Sequence, residues 1–229
     1  MMLGILASAI RRGIEEPPTE DGIQFLGATT RSKPLEDTTT TQFVFPLPAG
    51  TKIGDTLVLW LQGFQYDPDR TGWRPYILES GSESWGARVG TVTSLSDVVI
   101  AANASRCVAT LMVFSGAGSA PTLRRTATST SISPPSGTHP AGPTLPAGGK
   151  YVIDTIYASS ASPATMAVAP YPAGELLINY SGQSLGTTQT HSTTTAVGSS
   201  QSGEYTPPAA IWNIQNAGMV AIRLCLYAG

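Results

Sequence analysis

Apolar residues in this chain come in short runs, and polar turn residues cut each run off before it can build a long helix. The clearest run, TLVLWLQGFQ over residues 56–65, is almost continuous. A strand covered on both faces has that look, because both sets of alternating side chains are apolar. Over residues 38–47 the apolar positions alternate instead, through Phe43, Phe45 and Leu47, and Pro46 and Pro48 mark the end or edge of a strand. Further strands are predicted at residues 23–30, 73–78, 85–93, 97–102, 106–114 and 123–132. The second half continues with 151–158, 175–181, 187–197, 209–214 and 219–227. Turns fall at residues 48–55, 66–72 and 115–121, and the Pro/Gly-rich stretch 133–149 reads as a long loop. Many short strands between Gly, Pro, Ser and Thr predict an all-β fold, a jelly-roll-like antiparallel β-sandwich.

The first residues behave differently. Leu3, Leu6, Ile10 and Ile14 share one helical face, with Ile5 adding to the apolar character. Arg11 and Arg12 follow the apolar stretch, whereas a signal peptide puts its positive charge first. The stretch is also shorter than the roughly 20 apolar residues that span a bilayer. Pro17 and Pro18 stop any helix. Residues 1–20 are therefore expected to form a short apolar arm or helix with its linker, ahead of a single domain over 21–229. Leu3, Ile5, Leu6, Ile10 and Ile14 are its expected docking residues.

Two segments echo each other. Leu47-Pro-Ala-Gly50, followed after a gap by Gly54-Asp-Thr-Leu-Val-Leu59, is answered by Leu145-Pro-Ala-Gly-Gly-Lys-Tyr-Val-Ile153. Each announces a turn and then a buried strand. The uneven spacing argues for recurring hairpin grammar, not for solenoid repeats.

The order of motifs resembles the jelly-roll β-sandwich domains of tailed-bacteriophage structural proteins. It runs from Gly54-Asp55 and its apolar strand through Gly72-Trp73 to Cys107-Val-Ala-Thr-Leu-Met-Val-Phe-Ser-Gly116. The second Pro-Ala-Gly strand follows, and the chain closes on Trp212 and Met219-Val-Ala-Ile-Arg-Leu-Cys-Leu226. The opening Met2-Leu-Gly-Ile-Leu-Ala-Ser8 is similar to the apolar starts of such proteins. The resemblance spans roughly residues 23–227 and rests on short motifs. It implies a virion location, as a minor tail or head-decoration component, and partners among capsid or tail subunits. It also implies a homo-oligomer, with a trimer favoured, and no catalytic residues.

Composition narrows the alternatives. Asp, Glu, Lys and Arg make up only 12% of the chain, and the net charge is −2. That is no basic footprint for nucleic acid and no polybasic signal for anionic membranes. Hydrophobic residues at 41% supply a real core. Cys107 and Cys225 lie in apolar runs, where buried thiols are the first reading and a disulfide between neighbouring strands the second.

Candidate chemistry is thin, so no enzyme, metal site or cofactor is expected. Gly182-Gln-Ser184-Leu-Gly186 matches a nucleophile elbow, but that motif needs a following helix, and Thr-rich sequence follows here. A β-turn is expected instead. Asp67 and Asp69 are too few for calcium, which takes six to eight oxygen ligands. Glu79 and Glu83 read as solvated turn charges, and His139 and His191 as isolated loop residues. Trp60 and Trp212 sit in apolar strands and are expected in the core. Tyr66, Trp73 and Trp85 flank turns, and exposed aromatics there would stack on sugar rings. A lectin-like module that recognises host glycans is thus the alternative to a structural role.

Overall fold

The computed structural model describes residues 22–33, 37–62, 73–79, 85–102, 107–132, 136–139, 143–160, 180–185, 190–201, 203–206, 210–213 and 219–229. Among these residues fourteen strands and no helix form. In the first half they are β1 (Gln24–Lys33), β2 (Gln42–Phe45), β3 (Thr56–Gln62), β4 (Arg74–Glu79), β5 (Trp85–Thr91), β6 (Val98–Ala101) and β7 (Cys107–Ser115). In the second they are β8 (Thr122–Ile132), β9 (Ser136–His139), β10 (Lys150–Ser160), β11 (Tyr180–Leu185), β12 (Thr190–Gln201), β13 (Ala210–Asn213) and β14 (Met219–Tyr227). One five-stranded sheet has the order β1-β7-β3-β5-β4 and the other β11-β12-β10-β14-β8. Two ribbons, β2–β6 and β9–β13, complete the fold. The strand pairings within sheets and ribbons are antiparallel. The all-β expectation holds.

The continuous apolar run of β3 is explained by what covers it. Val58 and Trp60 point into a core shared between the two large sheets, with Met112 and Phe114 from β7 and Ala87 and Val89 from β5. Leu123, Tyr151, Ile153, Leu224 and Leu226 enter the same core from the second sheet. Phe114 meets Tyr151 edge-on, with ring centroids 5.1 Å apart. The opposite face of β3 carries Leu57, Leu59 and Leu61, which pack with Phe43, Phe45 and Ile100 of the β2–β6 ribbon. The first sheet is therefore a filling between the second sheet and a ribbon, and its central strand β3 needs apolar residues on both faces.

Three local expectations are corrected. Residues 38–41 precede β2 and do not belong to it. The Asp37 carboxylate accepts the Thr39 and Thr40 amides at 2.8 and 2.9 Å and also their hydroxyls. Donors captured in an Asx turn cannot serve a ladder. Nearby, Lys33 is buried and donates to the Thr40 carbonyl at 2.6 Å, which ties this turn to the end of β1. Second, the stretch read as a long loop contains β9, paired with β13. Third, Gly182–Leu185 belongs to β11 and is a strand, not a turn. The apolar arm, with Leu3, Ile5, Leu6, Ile10 and Ile14, lies outside the described residues.

Both cysteines are buried thiols in separate clusters, Cys107 beneath the β2–β6 ribbon and Cys225 beside Leu145.

Candidate binding pocket at Trp73

A pocket of about 230 Å³ opens where β5 leaves the first sheet and turns toward β6. It lies on the ribbon side of the sheet. Leu57 and Gly90 stand opposite each other in the β3–β5 register and form its floor. Trp73, the residue before β4, is half-buried and packs against the outer core. Its ring can lie there because residue 90 has no side chain: a Cβ at that position would come 2.9 Å from Trp73 Cε3. A glycine inside a strand often marks such a close approach.

The far wall is the 92–97 loop. Its entry is fixed by two backbone bonds to the preceding turn, Gly54 N–H to the Val92 carbonyl at 2.9 Å and Val92 N–H to the Asp55 carbonyl at 2.8 Å. That turn is itself braced by the Asp55 carboxylate, which accepts the Lys52 amide at 2.7 Å. Ser94 then accepts the Ser96 amide at 3.2 Å, and the two hydroxyls lie 3.0 Å apart in a hydrogen bond to each other, closing a local turn. Thr91, Thr93, Ser94, Ser96 and Asp97 thus supply hydroxyls and one carboxylate around an aromatic ring and the apolar Leu57, Val92 and Val98.

Such a lining can bind and orient a small, polar, uncharged ligand: an apolar surface for contact area and a few convergent polar groups for direction. Among its described lining residues Asp97 is the one ionisable side chain. Among the described residues no cluster of His, Cys, Asp or Glu could hold a metal ion.

Of the three aromatics expected as a stacking platform, Trp73 lines this pocket. Trp85 opens β5, and its side chain lies outside the described residues, as does all of Tyr66. Trp60 is fully buried in the shared core, as expected. Trp212 lies in β13, opposite Gly137, its side chain outside the described residues. Ser184 stands opposite His191 in the β11–β12 register, on two strands with no helix following the serine among the described residues. His139 stands in β9 and Glu79 ends β4 opposite Trp85. Asp67, Asp69 and Glu83 lie outside the described residues. Sequence reasoning missed Gly90 and the Ser94–Asp97 loop. The available signal was a glycine interrupting a strand, followed by a Ser-rich turn.

Comparison with known proteins gives no matching family model, curated protein or solved structure.

Proposed function

We propose that this chain is a non-enzymatic structural protein of a tailed-phage virion, a decoration or minor tail component that docks through its N-terminal arm. The observation that carries the reading is strand order. In the first half, strands one, seven, three and five are neighbours in one sheet, and strands two and six pair over it. The order supports a jelly-roll reading with the fourth strand moved into the larger sheet, and jelly rolls recur in viral capsid and lectin domains. Low charge and Thr-rich strands suit crowded copies of such a domain. The apolar face of Leu3, Leu6, Ile10 and Ile14 is the plug, and its partners are capsid or tail subunits; the assembled form is a homo-oligomer, a trimer by preference. Particles assembled with a chain lacking residues 1–14 are expected to purify without it. Unchanged incorporation sinks the docking role.

The pocket favours a second reading, recognition of a host surface glycan. Its volume suits one sugar ring, stacked on Trp73 with its hydroxyls facing Asp97 and the serines. Titration of isotope-labelled protein with neutral hexoses and N-acetylhexosamines tests it. Millimolar sugar should shift the Trp73 indole and the amides of residues 91–97, and Trp73→Ala should abolish the shifts. Silence across the panel removes this reading and leaves the first untouched.

A further inference from the structure

The strand orders of the two large sheets are the same list. Adding seven to each number in β1-β7-β3-β5-β4 gives β8-β14-β10-β12-β11, which is the second sheet read from its other edge. The same step turns the ribbon β2–β6 into β9–β13. Matching topology over seven consecutive strands is hard to reach by accident, and the finer details match as well.

Register agrees. In the first half Thr56 stands opposite Phe114 and Val58 opposite Met112. In the second Tyr151 stands opposite Leu226 and Ile153 opposite Leu224. One offset, 95, carries 56 to 151 and 58 to 153; another, 112, carries 114 to 226 and 112 to 224. The first offset also carries Gly54 onto Gly149, which aligns Gly54-Asp-Thr-Leu-Val58 with Gly149-Lys-Tyr-Val-Ile153. The Leu-Pro-Ala-Gly turns before them end on Gly50 and Gly148, both with positive φ, at 87° and 123°. Three additional residues, Thr51-Lys52-Ile53, separate the turn from the strand in the first half.

Each half also closes on itself in a similar way, with the closing glycine one residue further from the last strand in the second half. Gly116 follows β7 and packs so tightly on the Gly22 carbonyl, two residues before β1, that a Cβ would come within 2.6 Å. Gly229 follows β14 and packs on the Ala120 carbonyl, two residues before β8, with a Cβ distance of 2.0 Å.

The contact between halves has reciprocal form. Strand β1 lies against β11 and β12, and their counterparts β8 and β4, β8 and β5 are also in contact. The pairing of i with j and of j with i is the mark of a two-fold, self-complementary interface. The symmetry is approximate, since β1 meets β11 more extensively than β8 meets β4, and β7 meets β11 and β12 where β14 makes no comparable contact with β4 and β5 among the described residues. Equivalent side chains fill the shared core from both sides: Val58 with Ile153, Met112 with Leu224, Phe114 with Leu226.

We infer that the chain is two copies of one seven-strand unit joined in tandem, and that the surface between its large sheets is a subunit-type interface whose fitting partner is a second copy of that unit. The connection through residues 117–121 replaces association by a covalent tether.

The full chain tests this. A protease site inserted after Ser119, in the exposed 118–120 turn, allows the folded protein to be cut between the halves. The cut halves should co-elute at the volume of the uncut chain and re-form that species after dilution from urea. Their apparent folding constant should fall tenfold for each tenfold dilution, while the uncut chain shows no dependence. Halves that part without denaturant, or that refold independently of one another, overturn the proposal. A second variant covers an insertion that prevents folding: a circular permutant that begins at Ser119 and runs from Gly229 directly into Met1. Gly229 donates its amide to the Ala117 carbonyl at 3.0 Å, so the old end already lies beside the first unit. A native near-ultraviolet spectrum and a cooperative melt support the proposal; an aggregated or molten permutant refutes it.

Discussion

The two halves of this molecule hold the same strands in the same order and treat their outer faces differently. In the first half Leu59 stands opposite Leu111 at the centre of the outer face, within an apolar cluster roofed by Phe43 and Phe45. The corresponding pair in the second half is Asp154 opposite Arg223, and Arg223 is 0% exposed. On the inner faces the two halves match in kind, Val58 against Ile153 and Phe114 against Leu226. The fold therefore depends on the inner face and on the turns. The outer face is where the halves were free to diverge, and the Trp73 pocket belongs to that divergent face of the first half.

The strongest way to break the comparison is to attack what the halves share. Trp60→Ala removes the largest fully buried side chain among the described residues of the shared core and should cost about 3–5 kcal/mol in urea unfolding. Amide exchange should then rise in β3 and β7 and equally in β10 and β14. Phe45→Ala, in the outer core, should raise exchange in the first half alone. Next comes the divergent pair. Arg223→Ala removes a side chain that is 0% exposed and should cost about 2 kcal/mol in urea unfolding. Arg223→Leu instead supplies the residue type that stands at the same register position in the first half, Leu111, and should cost less than the alanine variant in the same measurement.

Turn glycines sharpen the comparison further. Gly118 has φ +79°, and a Cβ there would come 2.0 Å from the Gly229 carbonyl oxygen. Gly118→Ala should thus cost about 2 kcal/mol or more, because strain and collision add. Gly50 and Gly148 have positive φ but open space around them, so Gly50→Ala and Gly148→Ala should cost about 1 kcal/mol each, and equally.

The smallest effect is the pH dependence of the turn before β2. The Thr40 hydroxyl first, then the Thr40 and Thr39 amides, hold the Asp37 carboxyl well below its usual range. A carboxyl lowered on folding stabilises the native state above its unfolded value, near 3.9, and that contribution is lost as pH falls below it. The Thr39 and Thr40 amide resonances should stay constant from pH 7 down through pH 4 and move only in stronger acid. Asp37→Asn should flatten the acid limb of stability; an unchanged limb would remove Asp37 from the account.

Much of the fold was legible in the sequence because apolar runs and turn residues are local signals. The β3 and β7 runs, the Trp60 core position and the buried cysteines all follow from them. The start of β2 was not legible, because one carboxylate captured two amides that the alternation had assigned to a strand. β9 was hidden by the prolines around it, and its pairing with β13 bridges some seventy residues, beyond any local window. The echo between residues 47–59 and 145–153 was visible, yet the three inserted residues disguised it as hairpin grammar. The pocket was half legible. Trp73 stood out as an aromatic beside a turn, whereas Gly90 and the 92–97 wall meet it only through the β3–β5–β4 pairing.

One sulfhydryl is sealed inside each half, Cys107 in the first and Cys225 in the second, and neither is exposed to solvent. A thiol reagent can reach either only when its own half opens. Two labelling rates from one sample would therefore act as independent clocks, and would reveal whether the tethered units breathe together or one at a time.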